Sequence, residues 1–169
     1  MQGQDIAVLL KLSLSKEKPA LSKDLAHDLY LSPSEISKSL QRSREAGLLY
    51  VGETEKRVNR AALLELLVHG LRYVFPPQRG GLTRGVPTGV SVAPLSASFP
   101  AETEPPPVWP YAEGGTRGLS FSPLYKGAPQ AALLDEDLYK LLALCDAIRG
   151  GRTRERNLAG GMLEEALTQ

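Results

Sequence analysis

Lys38, Gln41 and Arg42 fall within five residues, preceded by Ser32, Ser34 and Ser37. Lys and Arg hold phosphates, and Arg, Lys, Gln and Ser reach base edges, so this spacing offers anion and base recognition rather than bond chemistry. Lys56 and Arg57 repeat the basic character a few residues on. Covalent chemistry has little to work with. His27 and His69 are far apart, with no carboxylate or cysteine at metal-ligand spacing, and no phosphate-binding glycine loop, dinucleotide fingerprint or nucleophile elbow occurs. The sequence therefore reads as a non-enzyme without metal or cofactor.

The segment carrying these residues has strong helix punctuation. In Ser32-Pro33-Ser34-Glu35, Ser32 is a cap, Pro33 suits the first turn and Glu35 closes a capping box. The helix so begun runs to Ala46 and stops at Gly47, the residue type favoured in a left-handed C-terminal position. Ile36, Leu40 and Ser43 share one side. Ser34, Lys38, Gln41, Arg42 and Glu45 lie around the other, which is expected to face outward.

Two helices should precede it, one over about Asp5–Leu14 with Ile6, Leu9, Leu10 and Leu14 inward, and one capped by Ser22 with Leu25 and Leu29 inward. Pro19 marks the break between them, and residues 30–32 a tight turn. Leu48–Val51 and Lys56–Val58 read as two short strands joined by a turn over Gly52–Glu55. Asn59 caps a fourth helix, Arg60 to about Tyr73, apolar on several sides and so in need of cover by the rest of the chain or by a second subunit.

The stretch LAHDLYLSPSEISKSLQRSREAGLLYV, in the order helix, helix, capped helix, glycine, hairpin, resembles the core of MarR-type winged helix-turn-helix regulators. The likeness covers roughly residues 5–75. It implies the third helix in the major groove, the hairpin near phosphates and a homodimer on pseudo-palindromic double-stranded DNA. Ser32, Ser34, Ser37, Lys38, Gln41, Arg42, Lys56 and Arg57 are then the DNA-binding candidates. Position 43 is serine where that family usually has a large aliphatic residue.

Beyond residue 75 the composition changes. Eleven of the 13 prolines and eight of the 16 glycines lie in residues 76–130. This suggests an extended strap across the fourth helix or a partner, because proline removes a donor and glycine raises the entropy of the unfolded chain. The many large apolar residues in it argue against a free linker. Thr83-Arg84-Gly85 and Thr116-Arg117-Gly118 echo each other. Arg79, Arg84 and Arg117 beside glycines could hold a phosphate, and Trp109 could anchor a partner or be buried in the strap's own contacts. Residues 102–107 are the expected exposed tip. Residues 131–169 read as two amphipathic helices, the first opened by Asp135, Glu136 and Asp137, suited to dimerisation or partner binding. Arg152, Arg154 and Arg156 in that segment could extend a DNA footprint or pair with acids across a subunit boundary.

The expected fold class is therefore mainly α, with domains at 1–75, 76–130 and 131–169. Basic and acidic residues number 20 and 19, which excludes a polycation coating nucleic acid indiscriminately. No apolar run is long enough for a membrane span and no signal segment is visible. Cys145, the one cysteine, is expected to be a core residue of a cytoplasmic protein. The leading expectation is a dimeric transcriptional repressor. The alternative is an antitoxin or adaptor covering the product of a neighbouring gene through residues 76–169.

Overall fold

The computed structural model describes residues 1–15, 20–100 and 104–169. The expected break at Pro19 lies outside these residues, as does Glu102 of the expected tip. The architecture is mixed but mainly helical, with two small sheets.

Helix α1 (Gly3–Leu14) is the axis of the molecule. Ile6, Ala7, Val8, Leu9 and Leu10 are all fully buried, so it is covered on every side rather than along one stripe. Helices α2 (Ser22–Leu29) and α3 (Pro33–Glu45) pack on it. Ser22 begins α2, with Leu21 in the cap position. The Ser32–Glu35 capping box forms as the sequence demands, and Gly47 takes φ 74° beyond the end of α3. Strands β1 (Leu49–Val51) and β2 (Lys56–Val58) pair antiparallel, with Tyr50 opposite Arg57. Asn59 accepts from the Ala62 amide and starts α4 (Arg60–Glu65). The helix continues through a π-helical stretch, Leu66–Gly70, into α5 (Leu71–Val74). Leu63, Leu67 and Leu71 face inward, against α7 and α8, introduced below.

The proline- and glycine-rich segment is not a strap. Strands β3 (Arg79–Pro87), β4 (Pro107–Pro110) and β5 (Thr116–Phe121) each pair with the other two and close on themselves. The two echoing tripeptides pair head to tail, Thr83 with Gly118, Arg84 with Arg117 and Gly85 with Thr116. Their glycines are steric necessities. A Cβ on Gly85 would sit 1.9 Å from the Trp109 carbonyl oxygen, and one on Gly118 would sit 2.1 Å from that of Pro106. Pro87, Pro107 and Pro110 stand at strand ends, where a missing amide is tolerated.

Helices α6 (Ala128–Leu134), α7 (Glu136–Gly150) and α8 (Thr153–Thr168) complete the fold. Asp135 caps α7 by accepting from the Leu138 amide and also takes Lys11 Nζ at 2.7 Å. The apolar stripe of α7, expected to serve dimerisation, is buried within the single chain, Cys145 included. A fully buried carboxylate sits in it. Asp146 accepts from Thr88 Oγ1 at 2.7 Å, Trp109 Nε1 at 2.6 Å and Arg149 Nη1 at 2.6 Å. Burial pushes its pKa up, and Arg149 with the other two donors acts against that rise. Removing one partner of a buried charge network leaves the rest uncompensated. Asp146→Ala is expected to lower unfolding stability by about 3–5 kcal/mol in urea titrations followed by Trp109 fluorescence. A loss under about 1 kcal/mol would mean that the network does not hold the β unit on α7.

Candidate nucleic-acid interface

The local rules that build α3 also decide what it shows to solvent. Ile36, Ser39 and Ser43, at i, i+3 and i+7, are its buried residues, and Leu40 is only half-buried. Ile36 and Ser43 face inward as expected, and the inward face is rotated slightly from the expected one because Ser39 packs inward where Leu40 was expected. Ser43 Oγ is buried without a hydrogen-bond partner among the described residues.

The rotation turns Ser34, Ser37, Lys38, Gln41 and Arg44 outward. Ser37, Gln41 and Arg44, at helical spacing, line a shallow groove of about 270 Å³ with Leu40, Ser22, Val51 and Lys56. The groove lies between α3 and the β1–β2 hairpin. Gln41 Nε2 donates to Glu45 Oε1 at 3.0 Å, which extends its side chain along the helix. Arg57 lies over the Tyr50 ring at 5.6 Å, on the exposed side of the hairpin. Glu53 and Glu55 are exposed at the hairpin turn, so the positive charge sits on the return strand and not at the tip.

Ser32 is committed to its cap. Its hydroxyl accepts from the Glu35 amide at 3.2 Å and its own amide donates to Glu35 Oε2 at 2.7 Å. That backbone bond holds the Glu35 carboxyl below the usual carboxylate range, so a negative charge already occupies the start of α3. Ser32 can offer a phosphate only its hydroxyl proton.

Arg42 does not belong to the outward face. Its Nε donates to Asp5 Oδ2 at 2.8 Å and its Nη2 to Asp5 Oδ1 at 2.7 Å, a bidentate pair with a carboxylate that has no exposed surface. Gln2 Oε1 accepts a further bond at 3.3 Å. The expectation that Arg42 reads bases is thereby corrected, because a buried Asp5 needs a counter-charge and α3 passes beside α1. Arg44 was missed and faces the groove. Taking Ser39, and not Leu40, as the inward residue beside Ile36 and Ser43 is the signal that would have found it.

The other basic candidates are scattered. Arg79 donates to the Gly150 carbonyl at 2.6 Å and lies 5.2 Å from the Phe121 ring centre. Trp109 is 1% exposed and bonded to Asp146, so it anchors no partner. Arg154 stacks on Phe99, and Arg156 donates to Gly151 O and Thr153 Oγ1. Arg152 is exposed in the cap position of α8. None of these lines the groove beside α3. Arg84 and Arg117 are exposed side by side on β3 and β5. Among the described residues no helix is long and apolar enough to cross a membrane. Set against protein-family models, curated proteins and solved structures, the chain matches none.

Burial works to raise the Asp5 pKa, yet the Arg42 hydrogen bonds, with the Gln2 amide, bring it below the ordinary value. A carboxylate depressed in the folded state adds stability above its unfolded pKa of about 3.9 and loses it as pH falls through the folded value. Arg42→Gln is therefore expected to destabilise the fold by about 3 kcal/mol at neutral pH. It should also remove part of the loss of stability seen below about pH 4 in acid titration by circular dichroism. Unchanged stability with altered DNA sequence preference would instead return Arg42 to base reading.

Proposed function

We propose that the chain is a sequence-specific double-stranded DNA-binding regulator of transcription, acting as a homodimeric repressor. In this reading residues 1–75 are a winged helix-turn-helix of the kind the sequence resembles in MarR-type regulators. The observation that carries it is the polar stripe of α3, Ser34, Ser37, Lys38, Gln41 and Arg44, opening beside a two-stranded hairpin with Lys56 and Arg57. A major groove admits a helix whose outward side chains are hydrogen-bond donors, and Gln and Arg make two-point contacts to adenine and guanine. A basic strand alongside suits the flanking phosphates.

The homodimer needs a surface that the monomer leaves open. The helix over residues 60–74 and α8 enclose a groove of about 840 Å³ lined in part by Leu64, Val68, Tyr73 and Gly161. Tyr73 is 72% exposed beside it. The antitoxin or adaptor reading was motivated by the length of chain after residue 75. That length is taken up by the closed β unit and by α7, which complete the core, and no observation favours a partner cover.

Fluorescence anisotropy on DNA from upstream of the protein's own gene, against scrambled DNA at several salt concentrations, tests the proposal. A preference of about a thousandfold or more is expected. Gln41→Ala and Arg44→Ala should each lose about 1–3 kcal/mol on the preferred DNA and little on scrambled DNA. Equal weak binding to both DNAs, or a monomer by light scattering at working concentration, would overturn the specific dimeric repressor.

A further inference from the structure

Directly opposite residues of an antiparallel pair place their side chains on the same face, about 4.5–5.5 Å apart at Cα. Arg84 and Arg117 are such a pair, and Leu82 opposite Leu119 continues the same solvent face. Both arginines are exposed, and no ion pair or side-chain hydrogen bond engages either among the described residues. Like charges directly opposite are destabilising. The backbone holds them there regardless, because Gly85 and Gly118, their neighbours, fit only against the backbone of β4. Arg84 and Arg117 line an open depression of about 430 Å³ together with Leu82, Thr83, Gly114, Gly115 and Thr116.

Two side-by-side guanidiniums fit phosphate oxygens, each able to bind bidentately. The depression is open, and Leu82 is the one large apolar side chain that lines it, too little to enclose a small molecule. Its occupant is better matched by a polyanion arriving from outside, whose successive phosphates advance about 3.4 Å along the axis per strand.

We infer that Arg84 and Arg117 form a second backbone clamp for double-stranded DNA, gripping a pair of phosphates between their guanidinium groups. The inference rests on the DNA-binding reading and adds a contact from outside residues 1–75. Phosphate contacts are sequence-independent and set the salt dependence of binding.

The test compares wild type with the double variant Arg84→Gln/Arg117→Gln by anisotropy on a labelled scrambled duplex across a salt series. Losing two phosphate contacts should lower the slope of log affinity against log salt by about 1.8. Arg84→Lys/Arg117→Lys, which keeps both charges, should restore most of the slope. The double Gln variant should be at least as resistant to urea as wild type, since it removes a repulsion, so a lost slope cannot be ascribed to unfolding. An unchanged slope in the Gln variant, with wild type binding normally, overturns the clamp and leaves the DNA reading intact. No binding by wild type at low salt overturns both. Calorimetric binding of inorganic phosphate that the Gln variant loses while its DNA slope stays the same would assign the site to a free phosphate ligand instead, and also overturns the clamp.

Discussion

A carboxylate with no access to water has to collect its hydrogen-bond donors from the protein, and Asp146 collects them from distant parts of the chain. Thr88 comes from beyond β3, Trp109 from β4 and Arg149 from the next turn of α7. Arg149 then uses its remaining donors on the Phe75 carbonyl at 2.8 Å and the Ser122 carbonyl at 3.0 Å. Those two carbonyls stand at the end of the helix over 60–74 and just beyond β5. One guanidinium therefore holds together both ends of the proline- and glycine-rich segment, while the carboxylate it serves fixes the middle. A segment with few long regular elements is ordered in this way by a single buried charge pair, and its loss would leave an uncompensated charge rather than a mere gap.

The same logic recurs at the other face of the molecule. Asp5 is buried and answered by Arg42 from α3, and Lys11 bridges Asp28 of α2 to Asp135 at the start of α7. Each of these pairs joins α1 to a neighbour. The orientation of α3 about its own axis follows from the Asp5–Arg42 pair together with the two inward serines. The residues that α3 presents to solvent are thus set by an interaction on its opposite flank. Because α1 also packs on α7, residues 1–75 do not carry a separable core, and the outward stripe of α3 depends on the C-terminal half.

Local chemistry was legible in the sequence. The Ser32–Glu35 box, the stop at Gly47, the Asn59 cap and the Asp135 opening of α7 each involve residues within a turn of one another, so short-range pattern specifies them. Two things were not legible. The inward placing of Ser43 was legible, but the facing of α3 as a whole escaped because aliphatic periodicity points to Leu40, whereas the packed position is Ser39, which hydrophobicity cannot mark. The middle segment escaped because prolines and glycines read as irregularity. In a three-stranded unit closing on itself, prolines mark strand ends and glycines admit a crossing backbone, so the composition of a strap is also that of a tightly closed small sheet. Only the echo of the two Thr-Arg-Gly tripeptides hinted at the pairing.

A net charge of +1 says little about whether such a molecule holds a polyanion. At physiological ionic strength charges are screened beyond about 8 Å, so a surface is read by its own side chains and not by the total. Some acids are withdrawn from the surface here. Asp5 and Asp146 are buried, and Asp135 and Glu155 are part-buried and occupied at helix starts. Arg42, Arg60 and Arg149 are withdrawn likewise, onto Asp5, onto the carbonyls of Ser13 and Leu167, and onto Asp146. What remains outward around α3 and the hairpin is Lys38, Arg44 and Arg57 together with Glu35, Glu45, Glu53 and Glu55, and on the β3–β5 ladder Arg84 and Arg117. The folding of the chain, more than its composition, sorts the charges, so that a nearly neutral protein carries a mixed surface on α3 and a basic pair on the β3–β5 ladder.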